Sequence, residues 1–402
     1  MRVALLARSA YPLHPPGGLE RAVFHLATHL RRLGAEVTLF TRPATEEQAF
    51  PGEVVTVPYG GHPARHGRIL ERTRHYPAFA LRAGTAVAER VRDGRIDVVD
   101  AQGLSALGYG RLRRRDPGLR APLLMNPQGM EEHRTRGLKR VALARLRRLS
   151  REAARLADRV VATDTSTRGD VSRLLGVDPA RVVLLPNGFD PDSIRSLTPA
   201  EPARVVAEAA PALAAARPLL LSVGRLEPYK GLLDVMAALD RAGTLGLPDG
   251  WAWAIVGTGP QLPALARRAR RLATPERIHF LGRVSDGLLH ALYAAADLFV
   301  HATHYEGSSL VTLEAMAHGL AIVATRAGGI PDKIEDAATG RLVEPGDVGR
   351  LAQLLSELAN DPKERQRLGR AARTRALERF AWPRLAARTL ALYAELVRAA
   401  RS

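Results

Sequence analysis

Residues 305–319, YEGSSLVTLEAMAHG, decide the fold of this chain because the runs on both sides of them have the character of buried strands. Residues 297–303 precede this stretch as an apolar run, and residues 320–325, LAIVAT, follow it. Inside the stretch, apolar residues recur at helical spacing and a glycine ends the pattern: Leu310, Leu313, Ala317 and Gly319. The sequence therefore predicts a strand–loop–helix–strand unit of an α/β protein with a parallel sheet.

Two carboxylates of this stretch are predicted to lie at the carboxyl ends of the strands, Glu306 on the loop and Glu314 two turns into the helix. At this edge of a parallel sheet, helix N-termini offer free N–H groups to anions, here at Ser309, Leu310 and Val311. Ser308 or Ser309 can cap the helix. Carboxylates accept hydrogen bonds from hydroxyls, so the arrangement suits a sugar–phosphate–ribose ligand. The alternative is a turn glutamate followed by a solvated helix glutamate.

The segment resembles the Glu-x7-Glu motif of the retaining glycosyltransferases of family four. These enzymes have the GT-B fold, in which two Rossmann-like parallel-sheet domains face a cleft and the last helix crosses back to the first domain. The resemblance implies transfer of a sugar from a nucleotide-diphosphate sugar to an acceptor hydroxyl, with the anomeric configuration kept. It implies that Glu306 binds the sugar hydroxyls and that Glu314 binds the ribose.

The length of 402 residues suits two domains of about 200 residues each. The first half ends in RVVLLPNGFD, residues 181–190, which resembles the family's crossing between domains. We therefore assign residues 1–193 and 382–402 to an acceptor domain, and residues 194–381 to a donor domain.

Composition limits the cellular setting. No apolar run approaches the ~20 residues of a membrane span, and the apolar start MRVALL is too short for a signal peptide and is predicted to be the first strand. The chain has no cysteine, which excludes disulfides and thiolate chemistry and fits a reducing compartment. We expect a cytoplasmic protein, free or peripheral on the inner membrane face.

The net charge of +18 is concentrated in the first half. Residues 1–195 hold 33 Lys and Arg against 20 Asp and Glu, and the remainder holds 26 against 21. Residues 138–160 have the spacing of one amphipathic helix, with an arginine-rich outer face. Such a face is usually solvated. The alternative is a partner with anionic groups, bound through Arg134 to Arg159: inner-leaflet lipid, a lipid-linked acceptor or a phosphorylated sugar.

In the donor half, the loop GRLEPYKG carries Arg225 and Lys230. Arginine binds phosphate oxygens with two donors and lysine adds a point charge, although isolated loop cations are usually only solvated. The G-R-x4-K-G spacing resembles the family's diphosphate clamp, which implies catalytic roles for both. By the same resemblance, the glycine loop with Gly257 and Gly259 lines the nucleotide site, and the following loop meets the base around Arg283 and Val284.

The acceptor half opens as strand, glycine-rich loop and helix, with Gly17 and Gly18 where backbone N–H groups could approach a phosphate. This loop resembles the family's first loop, although Pro-Gly-Gly is more often a plain turn. Two later strands lead to Asp100, Gln102 and Gln128, at positions where the family often carries histidines. The amides can hold a sugar hydroxyl but cannot take up a proton, and Asp100 either acts as a base or caps a strand end.

For the mechanism, we expect that fixed cations and helix N–H groups stabilise the departing diphosphate without a metal ion. The sequence has no clustered acidic site such as D-x-D near these loops, and no side-chain nucleophile is evident. Two rivals stay open. A sugar-nucleotide epimerase of GT-B architecture would share the fold, and a non-catalytic nucleic-acid binder would suit the basic charge. The second is disfavoured because aromatic residues make up only 5% of the chain, so base stacking is poorly supported.

Overall fold

The computed structural model describes residues 1–15, 17–46, 48–60, 71–127, 130–133, 135, 137–195 and 201–401. It divides into two compact units, the first formed by Met1–Asn187 with Trp382–Ser402 and the second by Gly188–Ala381. The chain passes from the first unit to the second after Asn187, a few residues earlier than the sequence-derived boundary at residue 193.

The first unit is built on a seven-stranded parallel sheet. Its strands are β1 (Arg2–Leu6), β2 (Glu36–Thr41), β3 (Glu53–Thr56), β4 (Val98–Gln102), β5 (Leu123–Asn126), β6 (Arg159–Ala162) and β7 (Val182–Leu184). They lie in the order β3-β2-β1-β4-β5-β6-β7, and every neighbouring pair is parallel. The central strands are buried on both faces, which is why they are nearly continuous apolar runs in the sequence.

Among the described residues of the first unit, α-helices lie between the strands. They are α1 (Gly18–Arg32), α2 (Tyr76–Arg92), α3 (Ala106–Arg115), α4 (Gly137–Ala142), α5 (Ala144–Leu156) and α6 (Thr165–Leu175). The apolar side of α5 carries Leu146, Ala153 and Ala154 into the core. Most of its arginines are exposed, namely Arg145, Arg148, Arg151 and Arg155.

The structure corrects the prediction of one long helix over residues 138–160. The chain instead forms α4 and α5, which are separated at Leu143, and the last predicted residues belong to β6. Leu143 is buried, whereas Leu138 and Val141 on α4 are 89% and 73% exposed. The apolar rhythm was therefore continuous in sequence, but only its second half packs against the core.

The second unit repeats the architecture with a six-stranded parallel sheet. Its strands are β8 (Leu219–Val223), β9 (Ala252–Val256), β10 (Ile278–Gly282), β11 (Leu298–His301), β12 (Ala321–Thr325) and β13 (Arg341–Val343). The order is β10-β9-β8-β11-β12-β13, so β8 and β11 are neighbours although they are far apart in sequence. Residues 305–319 and the strands on both sides of them form the predicted β11–loop–helix–β12 unit.

The helices of this unit lie along the chain between and after its strands. They are α7 (Asp192–Arg195), α8 (Glu201–Ala209), α9 (Leu232–Thr244), α10 (Leu262–Ala269), α11 (Asp286–Ala295), α12 (Leu310–Ala317), α13 (Ile330–Lys333), α14 (Val348–Asn360) and α15 (Pro362–Arg379). Two apolar clusters fill the unit.

The last helix, α16 (Trp382–Arg401), belongs to the first unit, as the family resemblance implied. Trp382, Leu385 and Tyr393 pack with β1 and α1 in one apolar cluster. Across the described residues, no helix combines the length and the apolar character that crossing a membrane requires.

A buried polar link joins α16 to the sheet. Asp100 lies inside β4, 3% exposed, where the Tyr393 hydroxyl donates to its Oδ2 at 2.5 Å and Gln102 Nε2 donates to its Oδ1 at 3.0 Å. Burial raises the pKa of Asp100 to about 6, although both hydrogen bonds act against the rise. A folded-state pKa above the ordinary 3.8 means that stability is lost as the pH rises through about 6.

We predict that Tyr393→Phe weakens the first unit more at pH 8 than at pH 5, because the lost donor serves a carboxylate that is ionised only above about pH 6. The expected loss at pH 8 is about 1.5–3 kcal/mol, the range for a hydrogen bond to a charged group. Hydrogen exchange of peptides covering α16 and β4 measures the local opening free energy.

The control is Tyr109→Phe, which removes another fully buried hydroxyl, one that donates to the neutral Ala121 carbonyl at 2.8 Å. Its loss should be about 0.5–1.5 kcal/mol and should not change between the two pH values. If the stability losses of the two variants had equal pH dependence, the Tyr393 hydroxyl would not be serving an ionised Asp100, and the prediction would be contradicted.

Candidate functional site

Arg225, Lys230 and Glu306, all singled out in the sequence, lie at the carboxyl ends of β8 and β11. One hollow there is lined by the end of β8 and the loop after it, with Gly224 and Arg225, and by Lys230 and His301. Because both strands are parallel and adjacent, loops that are 76 positions apart meet at one edge of the sheet. This is the edge at which α/β sheets bind ligands.

Glu306 is the residue on which this edge converges. Its Oε2 accepts a hydrogen bond from Lys230 Nζ at 2.7 Å and lies 2.8 Å from His301 Nε2. The side chains of Lys230 and Glu306 are 15% and 14% exposed, and that of His301 is 5% exposed. Sequence spacing had suggested separate roles for Lys230 and Glu306, but the structure pairs them.

The surroundings of Glu306 keep its carboxylate ionised. Burial alone would raise the pKa of Glu306, but hydrogen bonds and charge interactions from His301 and Lys230 outweigh it and lower the pKa to about 2. A depressed pKa means that the ionised form stabilises the fold above about pH 4.5, and this contribution is lost as the pH falls toward 2.

Backbone contacts fasten the Lys230 loop to the Glu306 loop. Gly231 has φ +66°, and a Cβ on it would lie 1.9 Å from the Ala302 carbonyl oxygen, so only glycine fits this approach. Beside it, His304 N donates to the Tyr229 carbonyl at 2.7 Å, and Thr303 Oγ1 donates to the same oxygen at 3.0 Å. Lys230 is therefore held where it meets Glu306.

Arg225 is placed differently from Lys230. Its side chain is 75% exposed and pairs with Glu227 at 2.5 Å from Nη2 to Oε1. An exposed ion pair of this kind contributes only about 0–1 kcal/mol, so the guanidinium can be transferred to an anion at little cost. Arg225 therefore lies at the hollow, as predicted, but its exposed guanidinium is not held in a fixed position.

Helix α12 begins at the same edge, behind the Glu306 loop. Ser309 is its N-cap residue, but its hydroxyl makes no capping hydrogen bond and instead lies 2.8 Å from Thr312 Oγ1. The backbone N–H groups of Leu310 and Val311 belong to the first turn. Glu314, one turn further, accepts a hydrogen bond at Oε2 from the Tyr293 hydroxyl at 2.9 Å.

The glycine loop after β9 lies against the loop after β8. A Cβ at Gly257 would lie 1.9 Å from the Gly224 carbonyl oxygen, and one at Gly259 would lie 2.4 Å from the Leu226 carbonyl oxygen. Gly257 N also donates to the Gly282 carbonyl at 2.7 Å, which ties in the end of β10. The glycines thus permit close packing of neighbouring loops.

Arg283 and Val284, predicted to meet a base, directly follow β10. Arg283 is exposed, whereas Val284 packs against the apolar core of the second unit. The structure places both at the same sheet edge as Gly257. Their contact with a base stays a prediction.

The loop of the first unit that carries Gly17 and Gly18 has an acidic neighbour. Gly17 is the N-cap residue of α1 and Gly18 is its first residue. The Glu20 carboxylate lies beside Gly17, because a Cβ added to Gly17 would be 2.4 Å from Glu20 Oε2. The other oxygen, Glu20 Oε1, accepts a hydrogen bond from the Ser9 hydroxyl at 2.7 Å. A carboxylate beside this helix start disfavours the predicted phosphate contact.

The structure places two of the three acceptor-side residues, and their contact with an acceptor stays a prediction. Asp100 is inside β4 and not at its end, so the strand-capping role is wrong, and its carboxylate is engaged by Tyr393 and Gln102. Gln102 ends the strand but is 5% exposed and faces the same interior. Gln128 lies outside the described residues.

Sequence reasoning missed two residues that the structure adds to the site. His301 ends β11 and touches Glu306, and a histidine at the carboxyl end of a buried strand was a usable signal. Tyr293 lies inside α11 among apolar neighbours and had no comparable signal.

Comparison with known proteins assigns both halves of the chain. The family model described as glycosyl transferases group 1 matches residues 207–375, and the model described as glycosyltransferase family 4 matches residues 16–193. Together these matches cover the donor and acceptor halves in the order the sequence analysis expected.

Curated relatives match over nearly the whole chain. A D-inositol 3-phosphate glycosyltransferase of Actinosynnema mirum is 31% identical, over 98% of this chain and 97% of that protein. A glycogen synthase of Mycobacterium tuberculosis (strain CDC 1551 / Oshkosh) is 28% identical, over 98% of this chain and 94% of that protein.

Solved structures show the same fold. Alr3699/HepE of Anabaena, in complex with UDP, superposes with a TM-score of 0.74 at 21% identity and covers 98% of this chain and 100% of that one. Sucrose-phosphate synthase of Thermosynechococcus elongatus gives a TM-score of 0.74 at 21% identity, with 99% of both chains covered. The α/β GT-B fold expected from the sequence is confirmed.

We predict that Lys230→Met destabilises the second unit by about 3 kcal/mol at pH 7, because it leaves the Glu306 charge buried with one partner fewer. Adding Glu306→Gln should recover part of this loss, because the uncompensated charge is then gone. Urea unfolding is followed by the fluorescence of Trp251 and Trp253, in a Trp382→Phe background that silences the tryptophan of the first unit.

The two variants together decide between an ion pair and mere packing. A Lys230→Met variant as stable as the wild type would show that the lysine stabilises the loop through its alkyl stem, which methionine keeps. A double variant no more stable than Lys230→Met would contradict the uncompensated charge as the cause of the loss.

Proposed function

The chain belongs to the group 1 and family 4 glycosyltransferases, and we propose that its second unit binds the donor around the Lys230–Glu306 pair. The enzyme transfers a sugar from a nucleotide sugar and is of the retaining type. The observation that carries the proposed site is that Arg225, Lys230 and His301 line one hollow, with Glu306 against two of them.

We assign the cations to the pyrophosphate of the donor. Lys230 is a positive charge held within 2.7 Å of Glu306 Oε2, and Arg225 can exchange its exposed pair with Glu227 for phosphate oxygens. The N–H groups of Leu310 and Val311 at the start of α12 add further donors for the anion.

Glu306 is suited to the sugar hydroxyls. Among the described residues, the bonds that it accepts are both at Oε2, so Oε1 is the oxygen that can receive a hydroxyl. Its pKa of about 2 keeps it an acceptor throughout the range of ordinary assays. Glu314, held by Tyr293, is assigned to the ribose hydroxyls.

The reaction that follows breaks the bond between the anomeric carbon and the diphosphate oxygen, and that oxygen keeps the electron pair. The acceptor hydroxyl forms the new bond on the same face, and its proton passes to a phosphate oxygen of the leaving group. The charge growing on the diphosphate is met by Lys230, Arg225 and the α12 N–H groups, as fixed donors meet an oxyanion. We propose that no metal ion is required.

The donor and acceptor are proposed by class. The UDP in the Anabaena structure makes UDP-sugars the first donors to test, beside ADP- and GDP-sugars. The acceptor is a hydroxyl of a glycan, a glycolipid or a lipid-linked or phosphorylated saccharide, and the relative named for D-inositol 3-phosphate supports a phosphorylated one.

We further propose that the basic face of the first unit, which we define as Arg140, Arg145, Arg148 and Arg155, rests on an anionic membrane surface. All four residues are exposed, and Glu152 among them is engaged by Arg111 at 2.7 Å. Leu138 and Val141 on the adjoining helix expose apolar side chains, the combination that interfacial helices use.

We predict that the protein releases nucleotide from one of the UDP-, ADP- or GDP-sugars only when an acceptor is supplied, and that the product keeps the anomeric configuration of the donor. Arg225→Gln should lower kcat/KM, and the ratio of the two values should correspond to a loss of about 2–4 kcal/mol of transition-state stabilisation. Activity should survive EDTA. The measurement is nucleotide release, with the anomer read by proton NMR.

The matched control is Arg204→Gln, which removes another exposed arginine that is paired to a glutamate, Glu208 at 2.9 Å. It should leave kcat/KM unchanged. Wild-type turnover by Arg225→Gln, loss of activity in EDTA, or product formed without an acceptor would each overturn part of the mechanism.

For the membrane, we predict that the wild type co-sediments with vesicles containing phosphatidylglycerol at low salt, and that changing the four arginines of the basic face to glutamine abolishes this. Each arginine near such a surface contributes roughly 1 kcal/mol. Leu138→Ser with Val141→Ser should weaken binding without changing the charge.

The control for charge is the same change at four exposed arginines of the second unit, namely Arg267, Arg270, Arg271 and Arg370. Equal pelleting of the two arginine-to-glutamine variants would exclude a specific basic face.

A further inference from the structure

We infer that Tyr293 is a positioning residue for the donor, which holds Glu314 in the orientation that selects ribose over deoxyribose. The inference rests on the proposed assignment of Glu314 to the ribose. Its basis is a direct contact, since the Tyr293 hydroxyl lies 2.9 Å from Glu314 Oε2 and 3.4 Å from the Val311 carbonyl oxygen on the same helix.

The tyrosine ring is fixed by its packing. Tyr293 is fully buried in α11, with the ring of Phe299 from β11 at 5.8 Å and the ring of His318 at 5.4 Å. The His318 ring is nearly parallel to it, at 13°. A tyrosine has few torsions to lose, so a ring packed in this way carries its hydroxyl at a defined position.

The hydroxyl is a donor under all assay conditions. Burial, and then the charge of Glu314, raise the pKa of Tyr293 well above its usual value, so the phenol keeps its proton. The phenol therefore donates and Glu314 Oε2 accepts.

The His318 ring that stacks on Tyr293 is uncharged. Burial, with His290 and Arg373 as further causes, lowers the pKa of His318 to about 3, so its ring is neutral near pH 7. Its Nε2 lies 3.0 Å from His290 Nδ1, a contact that orients the imidazole against the tyrosine. The stack should therefore hold through the pH range of enzyme assays.

This arrangement has a consequence for specificity. A glutamate side chain turns about three torsions, and a bidentate contact with two vicinal hydroxyls requires it to be in one of few orientations. A carboxylate that is oriented beforehand favours a ligand with both hydroxyls, because less ordering is left to binding. Without the Tyr293 phenol, Glu314 would remain at the site but would discriminate less between ribose and deoxyribose.

The test is the ratio of dissociation constants for a 2′,3′-dideoxynucleoside diphosphate and its ribose parent, measured by isothermal titration for the uracil, adenine and guanine pairs. For the nucleotide that binds, the wild type should prefer the ribose form by about tenfold or more. Tyr293→Phe should reduce this ratio about fivefold, mainly by weakening the ribose form, while the dideoxy form changes by less than about twofold.

Two variants separate positioning from stability. Tyr109→Phe makes the same chemical change in the core of the first unit and should leave the ratio unchanged. Glu314→Gln, which removes the charge itself, should bring the ratio close to one. Should Tyr293→Phe fail to fold, Glu314→Asp draws the carboxylate away from the phenol by one methylene and should show the same loss of preference.

The outcomes distinguish the inference from its premise. A wild type with no preference for ribose would overturn the assignment of Glu314 and the inference with it. A wild type that prefers ribose, with Glu314→Gln losing the preference and Tyr293→Phe or Glu314→Asp retaining it in full, would overturn the inference alone.

Discussion

The ion pair between Lys230 and Glu306 is the interaction on which the proposed donor site depends. It joins two loops that are distant in sequence, and it can form only because the sheet order makes β8 and β11 neighbours. Contacts at Gly231 and at the Tyr229 carbonyl hold the two loops together beside this pair. The two charged side chains are therefore already positioned next to each other. A cation and an anion are thus held, largely out of water, at the edge where a parallel sheet binds its ligands.

Under the proposed assignment, this pairing explains how one small region can bind both a pyrophosphate and a sugar. A pyrophosphate needs a cation and a sugar needs an acceptor, yet either group buried alone would be costly. Paired with Lys230 and His301, Glu306 stays ionised, and among the described residues the hydrogen bonds that it accepts are at Oε2, which leaves Oε1 for a ligand. Arg225, by contrast, is exposed and loosely paired, which suits a residue that engages the ligand only when it arrives.

The sequence predicted the fold well because parallel strands buried on both faces and glycine-ended helices leave strong local patterns. The unit from β11 to β12 was identified from such patterns, whereas the return of α16 to the first unit was implied by the family resemblance. The sequence predicted fewer of the side-chain contacts, because these join residues from different elements. Examples are the pair of Lys230 with Glu306 and the hydrogen bond from Tyr293 to Glu314. The helix over residues 138–160 failed because periodicity does not report which apolar residues find a core, and Leu138 and Val141 do not. Asp100 was misplaced because its hydrogen-bond partner Tyr393 lies almost 300 positions later, so no local pattern reports the contact.

The central claim is that the second unit holds its donor through the pyrophosphate at Lys230. Calorimetric titration of UDP, ADP and GDP, each against its monophosphate, tests this most directly in the wild type and in Lys230→Met. The account predicts that one diphosphate binds the wild type at least about tenfold tighter than its monophosphate, and that Lys230→Met removes most of this preference while leaving the monophosphate affinity nearly unchanged. An undiminished preference for the diphosphate in Lys230→Met would contradict it.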